Sequence, residues 1–291
     1  MSVLVAATLD VTLAEPPARL HPVVWTGRYL DGVARAVPAE PALRARLVGA
    51  AAWGGGALVA VLAGRVVGRG GFLLRGAALW PLLSARMLMT EVLAVEAALS
   101  GDVNAGRAAL ARIVSRDTGE LSPTEVRAAA IESLAENLSD SVVAPLFWHA
   151  IAGLPGAAFY RYANTADACW GYRTPRWRYA GLVAARVDDV LNAVPARLTA
   201  ALLRGTRGWG RLRAEARKTA SPNAGWPMAA LALRLDLRLS KRDHYELNPT
   251  GADPDRGDVA VAVRTARRAA VVAVVGAAAL EHLSRREKRA R

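Results

Sequence analysis

The sequence predicts an all-α fold: a polytopic helical bundle embedded in a membrane, with kinked helices around a polar cavity that faces the cytoplasm. Residues 47–64 and 141–160 contain no Asp, Glu, Lys or Arg, and a helix of about 20 such residues can cross a bilayer. Hydrophobic residues make up 53% of the 291 residues, and the mean hydropathy is +0.18. Islands rich in carboxylates, Asn and Arg alternate with the apolar runs, which fits a membrane protein with a polar interior.

The charged residues are dominated by arginine. The formal net charge is +13, and only three of the 38 basic residues are Lys. Arg binds phosphate and carboxylate groups through paired hydrogen bonds. The positive charge is spread among apolar runs rather than gathered on one soluble module, which argues against a nucleic-acid-binding protein. The single cysteine, Cys169, excludes an internal disulfide and a zinc site built from Cys.

The first part of the chain contains three predicted helical stretches. Residues 1–13 form a short apolar helix that ends before Glu15-Pro16-Pro17. Residues 47–64 are the clearest membrane-spanning helix, in which the small residues Gly54, Gly55 and Gly56 allow close packing. Residues 72–99 are predicted to form one long helix with embedded charges.

Residues 116–140 carry the densest group of acidic side chains. Ser122, Pro123 and Glu125 have the pattern of a helix N-cap, first turn and capping box. Carboxylates spaced by seven, four and four residues then fall on one stripe: Glu125, Glu132, Glu136 and Asp140. Such like charges destabilise a helix by about 0.2–0.5 kcal/mol per pair. A metal ion or Arg residues should therefore compensate, unless the stripe is an ordinary solvated helix face.

A second helix, from about Gly181 to Leu203, collects oxygen atoms on one face. Asp188 shares the i,i+4 row with Asn192, which favours Asp188 as a metal-side oxygen. Asp189 is three residues from both Arg186 and Asn192, which favours an ion pair with Arg186 or Arg197. Pro195 cannot donate to the Leu191 carbonyl and should kink the helix.

The remainder of the chain carries weaker signals. Residues 241–258 are polar and turn-rich, and predict an exposed loop. Residues 259–291 predict a helix followed by a basic tail from Arg285.

The polar islands together suit phosphate chemistry. Hard oxygen ligands favour Mg²⁺, which binds one or two carboxylates together with substrate phosphates. Arg residues in several islands suit phosphate oxygens. The chain contains no phosphate-loop motif, no Ser-His-Asp order and no HExxH motif, so a nucleotide would be positioned by metal and Arg instead.

Eight motifs follow one another along the chain. They are L-D…P-P…H-P-V-V-W-x-G from Leu9, R-D-T from Arg116, E-S-x-x-E-N-x-S-D from Glu132, A-P-L-F from Ala144, N-T-x-D from Asn164, G-Y-R-T from Gly171, R-x-D-D-x-x-N-x-x-P-A-R from Arg186, and S-P-N-A-G-W-P from Ser221. In this order they resemble the adenosylcobinamide-phosphate synthase family of cobalamin biosynthesis, and the resemblance covers about residues 9 to 240. The chain departs from the pattern at Ala14, where Gly is expected, and at Thr219-Ala220, where relatives often carry a His.

The resemblance implies one membrane-embedded synthase domain over residues 1–291. It would be a multi-pass protein of the inner membrane with its active site facing the cytoplasm. It would join the propionate carboxyl of adenosylcobyric acid to aminopropanol or its O-phosphate, with ATP hydrolysis and Mg²⁺. Association with other membrane enzymes of cobalamin assembly would fit this role.

Roles for the motif residues follow as hypotheses. Catalytic roles are predicted for Arg116, Asp117, Glu132 and Glu136, with Asp117 as the base that deprotonates the amine. Substrate or phosphate binding is predicted for Thr118, Asn137, Asn164, Asp167, Arg173, Arg186, Asn192, Arg197, Ser221 and Asn223. Metal binding is predicted for Asp140, Asp188 and Asp189.

The alternative from a different class is a membrane transporter whose intramembrane charges bind a substrate. It shares the buried ionisable residues and broken helices, but it predicts no nucleotide chemistry. Substrate-dependent release of ADP from the purified protein separates the two.

Overall fold

The computed structural model describes residues 1–206 and 208–290, with residue 285 and residues 287–290 described by their backbone alone. The side chains of the predicted basic tail therefore lie largely outside the described part of the chain. The described chain is mainly helical. The helices are α1 (Ser2–Leu13), α2 (Pro22–Ala34), α3 (Ala42–Gly68), α4 (Phe72–Leu79), α5 (Ala85–Leu99), α6 (Val103–Leu110), α7 (Pro123–Leu138), α8 (Ala144–Trp170), α9 (Leu182–Arg204), α10 (Trp209–Ala216), α11 (Gly225–Leu235) and α12 (Asp258–Ala290).

The described chain divides into two compact units, each built from separated segments. Unit 1 comprises Met1–Ser84, Ala144–Asn192 and Val274–Arg291, and unit 2 comprises Ala85–Val143 and Ala193–Ala273. The single domain expected over residues 1–291 stays a prediction.

Unit 1 is organised by the packing of α3 along α8. A Cβ atom at Gly56 would lie 2.4 Å from the Tyr162 hydroxyl oxygen, and one at Gly64 would lie 2.7 Å from the Pro155 Cα. A side chain at either position would therefore force neighbouring atoms to move, and the glycines allow α3 and α8 to pack closely. The Tyr162 hydroxyl also donates to the Trp53 carbonyl at 2.8 Å, which fixes the two helices in register.

Among the described residues, two helical stretches are long and apolar enough to cross a membrane: Ala42–Gly68 and Pro123–Trp170. They contain the predicted spans 47–64 and 141–160. Along α3 a row of large apolar side chains is exposed: Leu43, Leu47, Leu58, Val59, Leu62 and Val66. Exposed apolar rows of this kind mark a surface that another apolar phase or protein covers.

The second stretch is interrupted at two places. A π-helical segment, Ser139–Val143, joins α7 to α8, and Gly153 inside α8 has φ 65°. Glycine adopts such a φ without steric cost, and Pro155 two residues later has no N–H for a helical bond. The stretch is therefore not one uniform helix.

The prediction of one long helix over residues 72–99 was wrong. The structure has α4, a 3₁₀ turn at Trp80–Leu82 and then α5. Pro81 lies in that turn, and its ring prevents the α-helix from continuing. The Trp80 indole donates to the Ala14 carbonyl at 2.7 Å, so this turn is also held by the end of α1.

Unit 2 is built around α7, which packs against α5, α6 and α11. Its buried side chains include Val126, Ile131, Leu134 and Leu138. The alternative that the acidic stripe is a solvated helix face is therefore wrong at Glu132, which is 1% exposed.

The sequence predicted an exposed loop over residues 241–258, but part of this segment belongs to a β-hairpin. The strands β1 (Leu239–Lys241) and β2 (Tyr245–Leu247) form an antiparallel hairpin that packs on α7 and α11. Leu239, Leu247 and Asn248 are fully buried. The apolar side chains alternate inward along the strands, a signal too short to stand out in a polar segment.

Candidate functional site

The capping box at the start of α7 is confirmed and sets the orientation of the helix. The Glu125 N–H donates to the Ser122 hydroxyl at 3.3 Å, and the Ser122 N–H donates to the Glu125 carboxylate at 2.8 Å. Arg242 also binds the Glu125 carboxylate, with one contact of 2.6 Å. The acidic residue at the head of the stripe therefore has a structural partner.

Two turns further on, Glu132 forms an ion pair inside unit 2. Arg116 donates to Glu132 Oε2 at 2.6 Å, and the side chains are 17% and 1% exposed. The predicted compensation of the acidic stripe by Arg is confirmed at this position. Within the described chain, the buried Glu132 Oε1 atom has no hydrogen-bond partner.

Tyr245 of β2 is the neighbour that the sequence did not reveal. Burial and the Glu132 charge raise the pKa of the Tyr245 phenol above its usual range, although the Arg116 charge opposes this. The hydroxyl therefore stays protonated and can donate a hydrogen bond in this group. A lone Tyr in a polar segment carries no sequence signal for this position.

Other polar side chains of residues 116–140 form hydrogen bonds with backbone groups. The Ser133 hydroxyl donates to the Ile113 carbonyl at 2.8 Å, and the Asn137 amide donates to the Ser133 carbonyl at 3.0 Å. The buried Thr118 hydroxyl donates to the Arg107 carbonyl at 3.1 Å. Asp117 is exposed and accepts from the Gly119 N–H at 2.9 Å. These contacts hold the loop that delivers Arg116, and the predicted chemical roles stay predictions.

Glu136 and Asp140 continue the acidic row with partial burial. Glu136 lies close enough to Glu132 for its negative charge to act on it. Asp140 lies in the π-helical segment, where bonding from i to i+5 interrupts the α-helical spacing.

In unit 1 a second acidic group forms between α8 and the first half of α9. Asn164 donates to Asp188 Oδ1 at 3.3 Å, and Asn192 donates to Asp188 Oδ2 at 3.0 Å. The Tyr160 hydroxyl donates to Asn192 Oδ1 at 2.8 Å, which orients the Asn192 amide nitrogen toward the carboxylate. The predicted pairing of Asp188 with Asn192 is confirmed, and Tyr160 is a further member that the sequence missed.

Asp188 is held in an unfavourable electrostatic position. Burial and the neighbouring Asp167 charge raise the pKa of Asp188 to about 7, and the bonds from Asn192 and Asn164 offset part of this. Two amide donors stabilise the ionised carboxylate less than a full positive charge does. A cation at this position would lower the pKa again.

Asp189 faces a different environment. Its Oδ2 atom lies 4.0 Å from an Arg186 nitrogen, so the predicted pairing with Arg186 is confirmed. Burial raises the pKa of Asp189, while the Arg186 and Arg173 charges lower it. The exposed Arg173 therefore also acts on this carboxylate.

Asp167 is packed against the end of α8. The Gly171 N–H donates to the Asp167 carbonyl at 2.7 Å. A Cβ atom at Gly171 would lie 1.9 Å from Asp167 Oδ1. The glycine of the G-Y-R-T segment is thus the residue that makes room for the carboxylate.

The Leu191 carbonyl, which Pro195 leaves without a helical donor, accepts a hydrogen bond from a side chain. The Trp148 indole donates to the Leu191 carbonyl at 3.1 Å. The helix continues through Pro195, and α9 runs without a break to Arg204. The backbone gap predicted at Leu191 is confirmed, and an aromatic side chain of α8 fills it.

Three more predicted residues come together in unit 2. Arg197 donates to Asn223 Oδ1 at 2.9 Å, and its guanidinium carbon lies 4.6 Å from the centre of the Trp226 ring. The Ser221 hydroxyl accepts from the N–H groups of Asn223 and Ala224, both at 3.2 Å. The S-P-N-A-G-W-P segment is therefore folded around Arg197.

The predicted residues thus form groups in each unit. Asn164, Asp167, Arg173, Arg186, Asp188, Asp189 and Asn192 belong to unit 1, and Arg116–Asp140, Arg197, Ser221 and Asn223 belong to unit 2. Convergence of all of them on one cavity stays a prediction. Across the described residues, no three His, Cys, Asp or Glu side chains are arranged to hold a metal ion by themselves.

Comparison with known proteins decides the family. A family model described as "CobD/Cbib protein" matches residues 3–274. The chain belongs to the CobD/CbiB family. It is 42% identical to the cobalamin biosynthesis protein CobD of Chromobacterium violaceum, over 91% of this chain and 91% of the relative. It is 39% identical to that of Rhodobacter capsulatus, over 91% and 92%.

A probable cobalamin biosynthesis protein CobD from Methanothermobacter thermautotrophicus is 39% identical, over 84% of this chain and 85% of the relative. No solved structure gives a significant match. The chain therefore functions in cobalamin biosynthesis, as the resemblance of its motifs implied.

Proposed function

We propose that this CobD/CbiB family member is an ATP-dependent amide ligase. It activates the propionate carboxyl of adenosylcobyric acid and joins it to aminopropanol or aminopropanol O-phosphate. The product is adenosylcobinamide or its phosphate. A membrane transporter is a weaker alternative, because the relatives carry the name of a biosynthetic protein.

The reaction balances in two steps. An oxygen of the substrate carboxylate attacks the γ-phosphorus of ATP, the bond to the bridging oxygen breaks, and ADP leaves. The amine nitrogen then attacks the acyl carbon, inorganic phosphate leaves, and a base accepts the proton of the amine. The acyl phosphate is needed because a free carboxylate is a poor acyl donor to an amine in water.

The observation that carries this proposal is the environment of Asp188. Its carboxylate is bound by two neutral amides and lies near two other carboxylates. Excess negative charge of this kind calls for a cation. A bound Mg²⁺ would supply one.

The donor set fits Mg²⁺ in the form in which a nucleotide carries it. Mg²⁺ takes one or two carboxylates, with phosphates and waters completing its octahedron. Asp188 would hold it in unit 1, with Asp167 or Asp189 as a second oxygen donor. The metal role of Asp140, which lies in unit 2, stays a prediction. The ion would neutralise phosphate charge during phosphoryl transfer.

The remaining residues are assigned by charge. Arg116, Arg186 and Arg197 would stabilise phosphoryl oxygens. Glu132 and Glu136 would act in the catalytic group of unit 2, and Asp117, which is exposed, would accept the proton of the amine. Thr118, Asn137, Asn164, Asn192, Arg173, Ser221 and Asn223 would position the substrates.

The exposed apolar row of α3 supports a membrane location for this enzyme. We extend this to a multi-pass protein of the inner membrane, with the site open to the cytoplasm where ATP is available. Such a location would permit association with other membrane enzymes of cobalamin assembly.

The deciding experiment identifies the product by mass spectrometry. The purified protein in detergent is incubated with adenosylcobyric acid, ATP, Mg²⁺ and each amine in turn. An amide product together with ADP supports the proposal, whereas corrinoid that stays unchanged with every amine refutes it. With ¹⁸O in the substrate carboxylate, label should appear in the released phosphate, and unlabelled phosphate would exclude the acyl phosphate.

A further inference from the structure

A cavity in unit 2 has the composition of an anion site with an aromatic wall. Its volume is about 530 Å³, within the range of small-molecule sites. Its lining contains three arginines, two tryptophans and two hydroxyl side chains, and no carboxylate. The lining residues are Arg197, Trp209, Arg213, Ala216, Arg217, Thr219, Ala220, Ser221, Pro222 and Trp226.

One wall of the cavity is a stripe of α10. Trp209, Arg213 and Arg217 are spaced by four residues, so they lie on the same face of the helix and its C-terminal turn. Both arginines are exposed, and no described ion pair involves either of them. Their guanidinium groups are therefore available to an oxyanion ligand.

The cavity also contains an aromatic pair. The Trp226 and Trp209 rings have their centres 5.3 Å apart. Trp226 is 8% exposed, and Arg197 covers one face of its ring. Trp209 is only half-buried, so part of its ring can accept a planar group. Stacking of this kind contributes to the binding of nucleic-acid bases.

We propose that this cavity binds a nucleoside triphosphate, with the base against Trp209 and the phosphates on Arg213 and Arg217. This rests on the proposed function, because the ligase reaction consumes such a nucleotide. A bare phosphate ion would need the arginines but not the half-buried tryptophan. Three positive charges and no acid match a polyphosphate chain, and the ring matches its base.

The test measures binding to the full-length protein in detergent by titration calorimetry. Three ligands are compared: the non-hydrolysable β,γ-imido analogue of ATP, tripolyphosphate and adenosine. The wild type should bind the analogue most tightly and adenosine least. Replacing both cavity arginines (Arg213→Gln with Arg217→Gln) should weaken the analogue and tripolyphosphate at least tenfold, since two charge-assisted hydrogen-bonding groups are lost.

Trp209→Leu should weaken the analogue about tenfold and leave tripolyphosphate unchanged, because only the stacked base is lost. Trp209→Phe keeps an aromatic face and should restore most of the affinity. This conservative variant, with its thermal unfolding midpoint, distinguishes lost stacking from misfolding. Arg256→Gln with Arg264→Gln is the matched control, since it removes two exposed charges of unit 2 outside the cavity.

Several outcomes would overturn the proposal. The double arginine variant could bind the analogue as the wild type does, or the control could lose affinity to the same extent. Tripolyphosphate could bind as tightly as the analogue with no effect of Trp209→Leu, which would leave a phosphate site without a base. An amino-alcohol phosphate could compete with the analogue more strongly than tripolyphosphate does, which would make this the amine site.

The proposal and the proposed function can fail separately. If the wild type forms the amide product but the double arginine variant still binds the nucleotide analogue normally, the cavity assignment alone is refuted. Nucleotide binding that follows the predicted pattern, without any amide product, would refute the ligase alone.

Discussion

The buried pair of Arg116 and Glu132 allows stability and activity to be separated by experiment. Glu132 is 1% exposed and Arg116 17% exposed, with 2.6 Å between nitrogen and oxygen. Replacing Glu132 by Leu removes a charge-assisted hydrogen bond and leaves the arginine charge buried without its partner. Loss of one member of such a pair costs about 3–5 kcal/mol.

The double variant Arg116→Met with Glu132→Leu removes both charges. It should recover most of this loss, because an apolar pair of similar volume often replaces a buried ion pair at little cost. If the pair has only a structural role, activity should return together with stability. If Arg116 and Glu132 act on the substrates, as we propose, the double variant should be stable and inactive.

Thermal unfolding in detergent and product formation are measured for each variant. Glu40→Gln serves as the matched control, since it breaks the exposed pair of Glu40 with Arg178 and should cost no more than about 1 kcal/mol. A stable double variant with wild-type activity would refute the catalytic assignment. A single variant as stable as the control would refute the estimate of the energy.

Three further predictions concern unit 1. Asp188→Asn keeps the shape but removes the charge, so it should abolish activity without changing membrane expression and should be partly rescued by raised Mg²⁺; full activity at low Mg²⁺ would refute the metal role. Gly171→Ala would place a Cβ atom 1.9 Å from Asp167 Oδ1. It should lower the free energy of unfolding by about 1–3 kcal/mol and remove most of the activity. The control Gly54→Ala, whose Cβ atom would meet no atom within 4 Å, should change neither stability nor activity. Burial raises the pKa of Glu281, but hydrogen bonds from the N-terminal ammonium, the Ser2 hydroxyl and the N–H groups of Val3 and Ser2 lower it to about 2. This carboxylate should therefore stabilise the fold above its unfolded pKa of about 4.3, and that contribution should be lost as the pH falls toward 2. Glu281→Gln should lose less stability in acid than the wild type when unfolding is measured against pH, and identical curves would contradict this.

The features that were predicted correctly from the sequence depend on residues only a few positions apart in the chain. The Ser122–Glu125 capping box needs only one helical turn, so its pattern is fully present in the sequence. The pairing of Asp188 with Asn192 follows from helix spacing alone. The gap left by Pro195 was also predictable, because it follows from a missing N–H group.

The parts that were missed depend on distant residues. Trp148 fills the gap at Leu191 from 43 positions away in sequence, and nothing local to either residue indicates this. Tyr245 reaches Glu132 because a hairpin packs on α7, which its polar sequence did not predict. The break at Pro81 is different, since the proline was visible and was given too little weight.

The two acidic groups differ in how their charge is balanced, and this divides their proposed roles. Glu132 already has a guanidinium at 2.6 Å, so a divalent cation beside it would also face the positive charge of Arg116. Asp188 receives only amide hydrogen bonds in the described chain, and Arg186 is engaged with Asp189 at 4.0 Å. A cation therefore gains more at Asp188 than at Glu132. We infer that a divalent cation belongs beside Asp188, and that Arg116 with Glu132 acts on a phosphoryl or acyl oxygen instead.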